Sequence, residues 1–325
     1  MDQARILWMT INRHPESLKD LIRKQLNQAK WRFDEISYES IGDLGNLELE
    51  RFDAVLMAPA RRIPTIYLER LKNCKLMQIW SSGFDKFNID EAHALGLPVA
   101  NNHGANATSV AEHTILLMLG VSRRAAEMHL RVISGEWEGN DHGMGSYSLH
   151  GKTLGIVGMG KIGTLVSARA QSFGMRIIYF DPFIAISKAP PGAVKTDWNG
   201  LLRESDYISL HVHLNAETGG MVDSSAFREM AKTPFLINPS RAELVDKKAL
   251  VRALQTGQIR GLGIDAHYDE PTDAEDLLWK IPSVFASPHV AGSTIDSYYE
   301  TIGACIQNIR RALSGERIRG LITSN

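Results

Sequence analysis

KTLGIVGMGKIG, residues 152–163, puts Gly158, Gly160 and Gly163 in G-x-G-x-x-G spacing directly behind an apolar run. The apolar run reads as a strand. The following KIGTLVSARAQSFG reads as a helix that closes at Gly174, a glycine suited to a helix C-terminus. In that context Gly158 permits the tight turn, Gly160 lets the backbone approach a pyrophosphate, and Gly163 lets the helix pack close to the strand. The helix N-terminus adds amides and a favourable dipole for phosphates. The next strand-like run, RIIYFD, ends at Asp181, 18 positions past Gly163. This is close to the ~20 expected of an acid that holds the ribose hydroxyls. A carboxylate there repels a 2′-phosphate, and no arginine follows it directly, so NAD is expected rather than NADP. A glycine turn of this kind also occurs in other doubly wound proteins, such as methyltransferases and flavin-binding domains. Strand, helix and acid together favour the dinucleotide.

Apolar runs spaced by helical patterns extend outward in both directions. Beyond the glycine turn they recur as YISLHV (207–212), FLINPS (235–240), GLGIDAH (261–267) and VFASPHV (284–290). They are near-continuous rather than alternating, as in strands covered by helices on both faces. Ahead of the turn, RILWMTI (5–11), DEISYES (34–40), AVLMAP (54–59), KLMQIWSS (75–82) and PVANN (98–102) suggest a smaller parallel α/β sheet. Ser109 and Glu112 form an S-x-x-E capping pattern ahead of the dense apolar run TILLMLGVS. Residues 134–151 read as an irregular connection. The last helical stretch, 294–313, is free to return to the first block.

With 44% hydrophobic and 22% charged residues and a net charge of −1, the composition is that of a globular protein. It gives no reason to expect nucleic acid or a membrane as partner. The start carries no signal-like segment and no transmembrane span is visible, so a cytoplasmic location is expected. Cys74 and Cys305 are too few for a disulfide framework or a zinc site. His211 and His213 stand two apart, but no third ligand is in view, so no metal is expected.

Ligands of open α/β sheets bind at the carboxyl ends of strands. Arg241 follows FLINPS, Asp265 and Glu270 follow GLGI, and His289 ends VFASPH. An arginine can clamp a carboxylate through two parallel hydrogen bonds. A histidine suits proton transfer to a developing alkoxide, and a carboxylate partner fixes its tautomer. That is the chemistry of 2-oxo acid reduction. Each residue also has a plain structural reading: a surface charge for Arg241, a solvated loop acid for Glu270, a turn hydrogen bond for His289.

Longer blocks carry a resemblance. SSGFDKFNID (81–90), GLPVANNHGANATSVAEH (96–113), LHGKTLGIVGMGKIG (149–163), INPSRAELVDKKALVRALQTGQIRGLGIDAHYDEP (237–271) and SPHVAGST (287–294) resemble, in this order, the D-isomer-specific 2-hydroxyacid dehydrogenases. That family includes glyoxylate/hydroxypyruvate reductases, D-lactate dehydrogenases and phosphoglycerate dehydrogenases. The resemblance implies two doubly wound domains: a Rossmann NAD-binding domain, 104–293, and a flavodoxin-like substrate domain, 1–103 and 294–325, completed by the C-terminal helix. It implies an NAD(H)-dependent oxidoreductase interconverting a small 2-oxo acid and its D-2-hydroxy acid, and a homodimer formed around the nucleotide domain. By similarity Arg241 binds the substrate carboxylate, and His289 paired with Glu270 is the acid/base. Ser82 and Gly83 face the substrate. Thr108, Lys161, Ile162, Val212, Pro239, Ser240, Asp265 and Gly292 join Gly158, Gly160, Gly163 and Asp181 around the cofactor. The substrate's side group is expected near residues 58–62 and 80–84, Trp137 and Trp279, with Arg61 and Arg62 as candidates for a second anionic group. The family's usual R-G is Arg241-Ala242 here, and His213 replaces a common proline. The alternative is an NAD-sensing binding protein of the corepressor type, without metabolic turnover.

Overall fold

β1 (Arg5–Thr10) carries Ile6, Leu7, Trp8 and Met9 in succession, and all four are buried. Alternate side chains of a strand leave on opposite faces, so both faces of this strand must be covered. Leu7 and Met9 enter one core, Ile6 and Trp8 another. The computed structural model describes residues 3–323 apart from 13, 59–61 and 138. After β1 come α1 (Glu16–Gln28), β2 (Arg32–Ser37), β3 (Ala54–Met57), α2 (Thr65–Arg70), β4 (Leu76–Ile79), α3 (Ile89–Ala94) and β5 (Val99–Ala100). The five strands pair in parallel in the order β2-β1-β3-β4-β5, the flavodoxin-like order.

The second unit begins with α4 (Ala107–Ser122), α5 (Ala125–Ile133) and α6 (Gly139–Gly143). It continues through β6 (Thr153–Val157), α7 (Lys161–Ser172), β7 (Arg176–Phe180), β8 (Ala193–Lys195), α8 (Trp198–Glu204), β9 (Tyr207–Leu210), α9 (Ser224–Glu229), β10 (Phe235–Asn238), α10 (Lys247–Gln255), β11 (Gly261–Ile264) and β12 (Val284–Ala286). Its sheet is parallel, ordered β12-β11-β10-β9-β6-β7-β8. Tyr207, Phe235 and Ile237 join the core under α4 and α7, while Ile208, Leu210, Leu236 and Leu262 join the core under α8, α9 and α10. Both faces are covered, which is why these strands read as continuous apolar runs.

The chain then returns as α11 (Ile295–Ser314), capped by the Thr294 hydroxyl and ended by Gly315 at φ +73°. Ile302, Cys305, Ile306, Ile309 and Ala312 recur at helical spacing and pack with Leu18, Ile22 and Leu26 of α1 against β1, β3 and β4. The two compact units are therefore Met1–Asn106 with Thr294–Asn325, and Ala107–Ser293. The junction lies at 106/107 rather than 103/104, because α4 starts at Ala107 and Asn106 stays tied to Ser82 by its side chain. Among the described residues no helix is long and apolar enough to cross a membrane.

Three local expectations need correction. Ser109 does not cap α4, which begins two residues earlier; Ser109 lies buried inside the helix, and Glu112 instead pairs with Arg169 at 3.0 Å. Residues 38–40 leave β2 for 3-10 turns that bury Tyr38. The connection 134–151 contains the short α6. Cys74 and Cys305 are buried, and desolvation pushes both thiols up to about 12.

One polar group crosses the first core. Asn308 of α11 is buried; its Nδ2 donates to Gln78 Oε1 (2.9 Å) and Arg319 O (2.6 Å), and its Oδ1 accepts from Arg319 N–H (2.9 Å). Gln78 in turn donates to the carbonyls of Ala100 and Asn101. Removing one partner strands the others. Asn308→Ala is expected to cost about 2–4 kcal/mol, read as a lowered denaturation midpoint; an unchanged midpoint would show that the network carries no stability.

Candidate functional site

The strands of the second sheet all run the same way, so their carboxyl ends lie along one edge. Gly158 follows β6, Asp181 β7, Val212 β9, Pro239 to Arg241 β10, Asp265 β11 and His289 β12. Strand order reverses at β6, which has β7 on one side and β9 on the other. Open α/β sheets receive ligands at this kind of switch point.

The glycine turn sits there. Gly158 adopts φ +89°, and a Cβ on it would lie 2.6 Å from His211 O and 2.8 Å from Val212 Cγ1. A Cβ on Gly163 would lie 2.2 Å from Gly158 O, so α7 packs directly on the turn. At Gly160 a Cβ would meet nothing within 4 Å, so this face of the turn is open. The first backbone bond of α7 runs from Thr164 N–H to Gly160 O, so the amides ahead of it point out of the helix N-terminus. Asp181 is buried: its Oδ2 accepts from Met159 N–H (2.8 Å), and its Oδ1 from the amides of Phe183 (2.9 Å) and Ile184 (3.1 Å). An open glycine face, outward amides and a rigidly held acid together fit a diphosphate and the adjoining ribose diol. Lys161 and Ile162 open α7, Ser240 Oγ donates to Leu210 O (2.6 Å), Pro239 is buried, and Thr108 is exposed in the first turn of α4.

Farther along the edge, Asp265 has no exposed surface. Its Oδ1 accepts from Ser287 Oγ (2.6 Å) and Val290 N–H (2.9 Å), its Oδ2 from Ala291 N–H (2.8 Å). This fixes the loop that leads to Gly292 and carries His289, whose backbone is left-handed at φ +56°. His289 Nδ1 lies 2.6 Å from Glu270 Oε1, with the two side chains 33% and 15% exposed, so the pair is mostly screened but reachable from solvent. Arg241 is half-buried just past β10; its Nη1 donates to Ser240 O (2.7 Å), and Asn238 Nδ2 donates to Arg241 O (2.7 Å).

In the first unit, Ser82 and Gly83 follow the carboxyl end of β4. Ser82 Oγ lies 2.8 Å from Asn102 Oδ1 and 2.6 Å from Asn106 Oδ1, and Gly83 O accepts from Ser81 Oγ (2.6 Å). Of the residues expected near the substrate side group, Trp137 is 85% exposed, whereas Trp279 packs on the second core, edge-on to His267. Arg61 lies outside the described residues, and Arg62 pairs with Glu91. Burial pushes His211 down to about 3, leaving a neutral ring whose Nε2 lies 2.8 Å from Ser209 Oγ. Among the described residues no three His, Cys, Asp or Glu side chains gather as a metal site.

The sequence reading missed a second histidine here. His113 of α4 places Nε2 2.7 Å from Ser287 Oγ and 3.5 Å from Asp265 Oδ1. Because the Ser287 hydroxyl donates to Asp265, His113 must donate to Ser287. His113 stands in the family-like block SVAEH, but its partner is 174 residues away, and only tertiary structure brings them together.

A family model described as the NAD binding domain of D-isomer specific 2-hydroxyacid dehydrogenases matches residues 115–291. The chain is 34% identical over 274 residues to a glyoxylate reductase from Thermofilum pendens, covering 83% of this chain and 81% of that protein. It is 36% identical over 257 residues to a glyoxylate reductase from Thermococcus litoralis, covering 76% of each. It is also similar to the crystal structure of a glyoxylate reductase from Paecilomyes thermophila, with a TM-score of 0.85, 25% identity and 99% of each chain covered. The match to the family model and these relatives agree with the glycine turn, Asp181 and the parallel sheet: the chain belongs to the D-isomer specific 2-hydroxyacid dehydrogenase family and is an NAD-dependent oxidoreductase.

Proposed function

We propose that this protein reduces a small 2-oxo acid, of the size of glyoxylate or hydroxypyruvate, to its D-2-hydroxy acid. The observation that carries this reading is the 2.6 Å contact between His289 Nδ1 and Glu270 Oε1 at the sheet edge that also bears Arg241. An ionised carboxylate only accepts, so Nδ1 holds a proton and Nε2 is the ring nitrogen left to exchange one with substrate. NAD, when bound, supplies the hydride chemistry. Arg241 clamps the substrate carboxylate and polarises the neighbouring carbonyl. His289 Nε2 delivers a proton to the oxygen at C2 as negative charge grows there, and Glu270 stabilises the imidazolium before that transfer. Asp265 holds the loop of His289, and Asp181 receives the ribose hydroxyls, which favours NAD over NADP. An acid–base pair in this arrangement supports turnover rather than mere sensing of the cofactor. Similarity to two glyoxylate reductases over three quarters or more of the chain supports the substrate size.

A panel of 2-oxo acids with NADH and NADPH, followed at the nicotinamide absorbance, tests the reading; no oxidation of either nucleotide with any member would overturn it. His289→Ala is expected to lower turnover by about 10²–10⁴-fold while NADH binding, read by fluorescence, persists. Unchanged turnover would remove His289 from the mechanism. Asp181→Ala is expected to narrow the ratio of kcat/KM between NADH and NADPH, and an unaltered ratio would contradict its placement on the ribose.

We also propose a homodimer. Leu130, Ile133, Trp137 and Met144 of the 125–144 region are 60%, 66%, 85% and 90% exposed, an apolar group that a second copy would cover. Ile133→Asp is expected to shift the sedimentation coefficient from dimer to monomer; a parent chain that already sediments as a monomer would end this part of the proposal.

A further inference from the structure

On the first unit, basic side chains gather beside the turn after β5, whose Asn101 Nδ2 donates to Ser82 O (3.0 Å). A cleft of about 970 Å³ opens between the turn after β5 and the segment that follows α11. His103, Arg311, Glu316, Arg317 and Arg319 line it. The guanidinium groups of Arg311, Arg317 and Arg319 have no carboxylate within ion-pair range among the described residues, although the chain as a whole carries a net charge of −1. Half-buried arginines elsewhere on this unit find acids: Arg23 with Glu16, Asp20 and Glu35, and Arg70 with Glu50.

The wall that bears these arginines is rigid. Ile318 packs against the core that holds β1 and α11, and Arg317 and Arg319 on either side of it line the cleft. Asn308 holds both the N–H and the carbonyl of Arg319. Asn101 N–H donates to Gly320 O (3.0 Å), and Ile322 N–H to Val99 O (2.9 Å), which adds the segment to the sheet edge. Gly320, at φ +63°, approaches so closely that a Cβ would lie 2.9 Å from Asn101 Oδ1 and 3.0 Å from His103 Cβ. A flexible tail would spread its like charges apart. This one is tied at successive backbone positions and keeps them together, which raises the local potential and prepares the cleft for negative charge. The volume is that of a small-molecule site, and planar forked guanidinium groups match tetrahedral or planar oxyanions.

We propose that this cleft binds a small polyanion: a molecule with two or more adjacent oxyanion groups, whether phosphate or carboxylate. The cleft's lining includes no residue of the cofactor turn, of the His289–Glu270 pair or of the loop 81–83. The test is calorimetric titration of the full chain at fixed ionic strength, first with pyrophosphate and then with citrate. NADH is held at saturation throughout so that the glycine turn is filled. Saturable binding is expected, weakened at least about 10-fold in the double variant Arg317→Gln, Arg319→Gln, whose positions are exposed and leave the fold intact. Arg311→Gln is expected to weaken it separately. Tighter binding of pyrophosphate than of citrate assigns the site to phosphate-bearing ligands, and the reverse order to polycarboxylates. The proposal is overturned if neither anion binds saturably, or if binding survives the double variant unchanged but is lost in Arg241→Gln.

Discussion

A fully buried carboxylate is costly to hold unless donors surround it, and Asp265 has them: one hydroxyl and two consecutive backbone amides. The interaction works in both directions. The donors make the buried charge tolerable, and the charge fixes the path of residues 287–291. His289 lies inside that path with φ +56°, a conformation that costs a non-glycine residue about 1–2 kcal/mol. The two amides that follow it in the loop face Asp265, and this keeps it there. Strain at the residue proposed to move the proton is thus held by a neighbour that takes no part in the transfer.

The two acids past β11 divide the work by what surrounds them. Asp265 accepts from the main chain and Ser287, with no exposed surface. Glu270, five residues on, takes a long 3.3 Å bond from His267 N–H and a short 2.6 Å one from His289. The first is a fixed anchor. The second has its shortest contact with a titratable ring, so its charge is available to stabilise that ring when protonated.

Much of this was legible in the sequence because the relevant forces are local or repetitive. Strands buried on both faces must be apolar throughout, and Leu236 and Ile237 show it by entering different cores. The glycine turn was legible because backbone contacts at Gly158 and Gly163 exclude side chains. What escaped depended on distant partners or weak signals. β8 is three residues at the sheet edge, with an exposed valine at its centre, so it lacks the apolar signature. The S-x-x-E at 109–112 was a real pattern in the wrong place: tertiary packing of α4 buried Ser109 and gave Glu112 to Arg169. His113 and Ser287, like Asn308 and Gln78, meet across most of the chain.

Those distant pairs share a design. In each unit a polar side chain on a long helix reaches a strand end: His113 from α4 toward Asp265 past β11, Asn308 from α11 toward Gln78 in β4. Apolar packing fixes a helix against a sheet only loosely in register, because one methyl contact is much like the next. A hydrogen bond to a buried partner has a single satisfactory geometry, since misplacing it leaves an unpaired group in a low-dielectric interior. Placing one such bond where each helix meets its sheet turns a greasy interface into an indexed one. For α4 the indexed end is the one that carries Ser287 and the loop of His289, so the fit of the helix and the posture of the proposed acid are set by the same three-residue chain of hydrogen bonds.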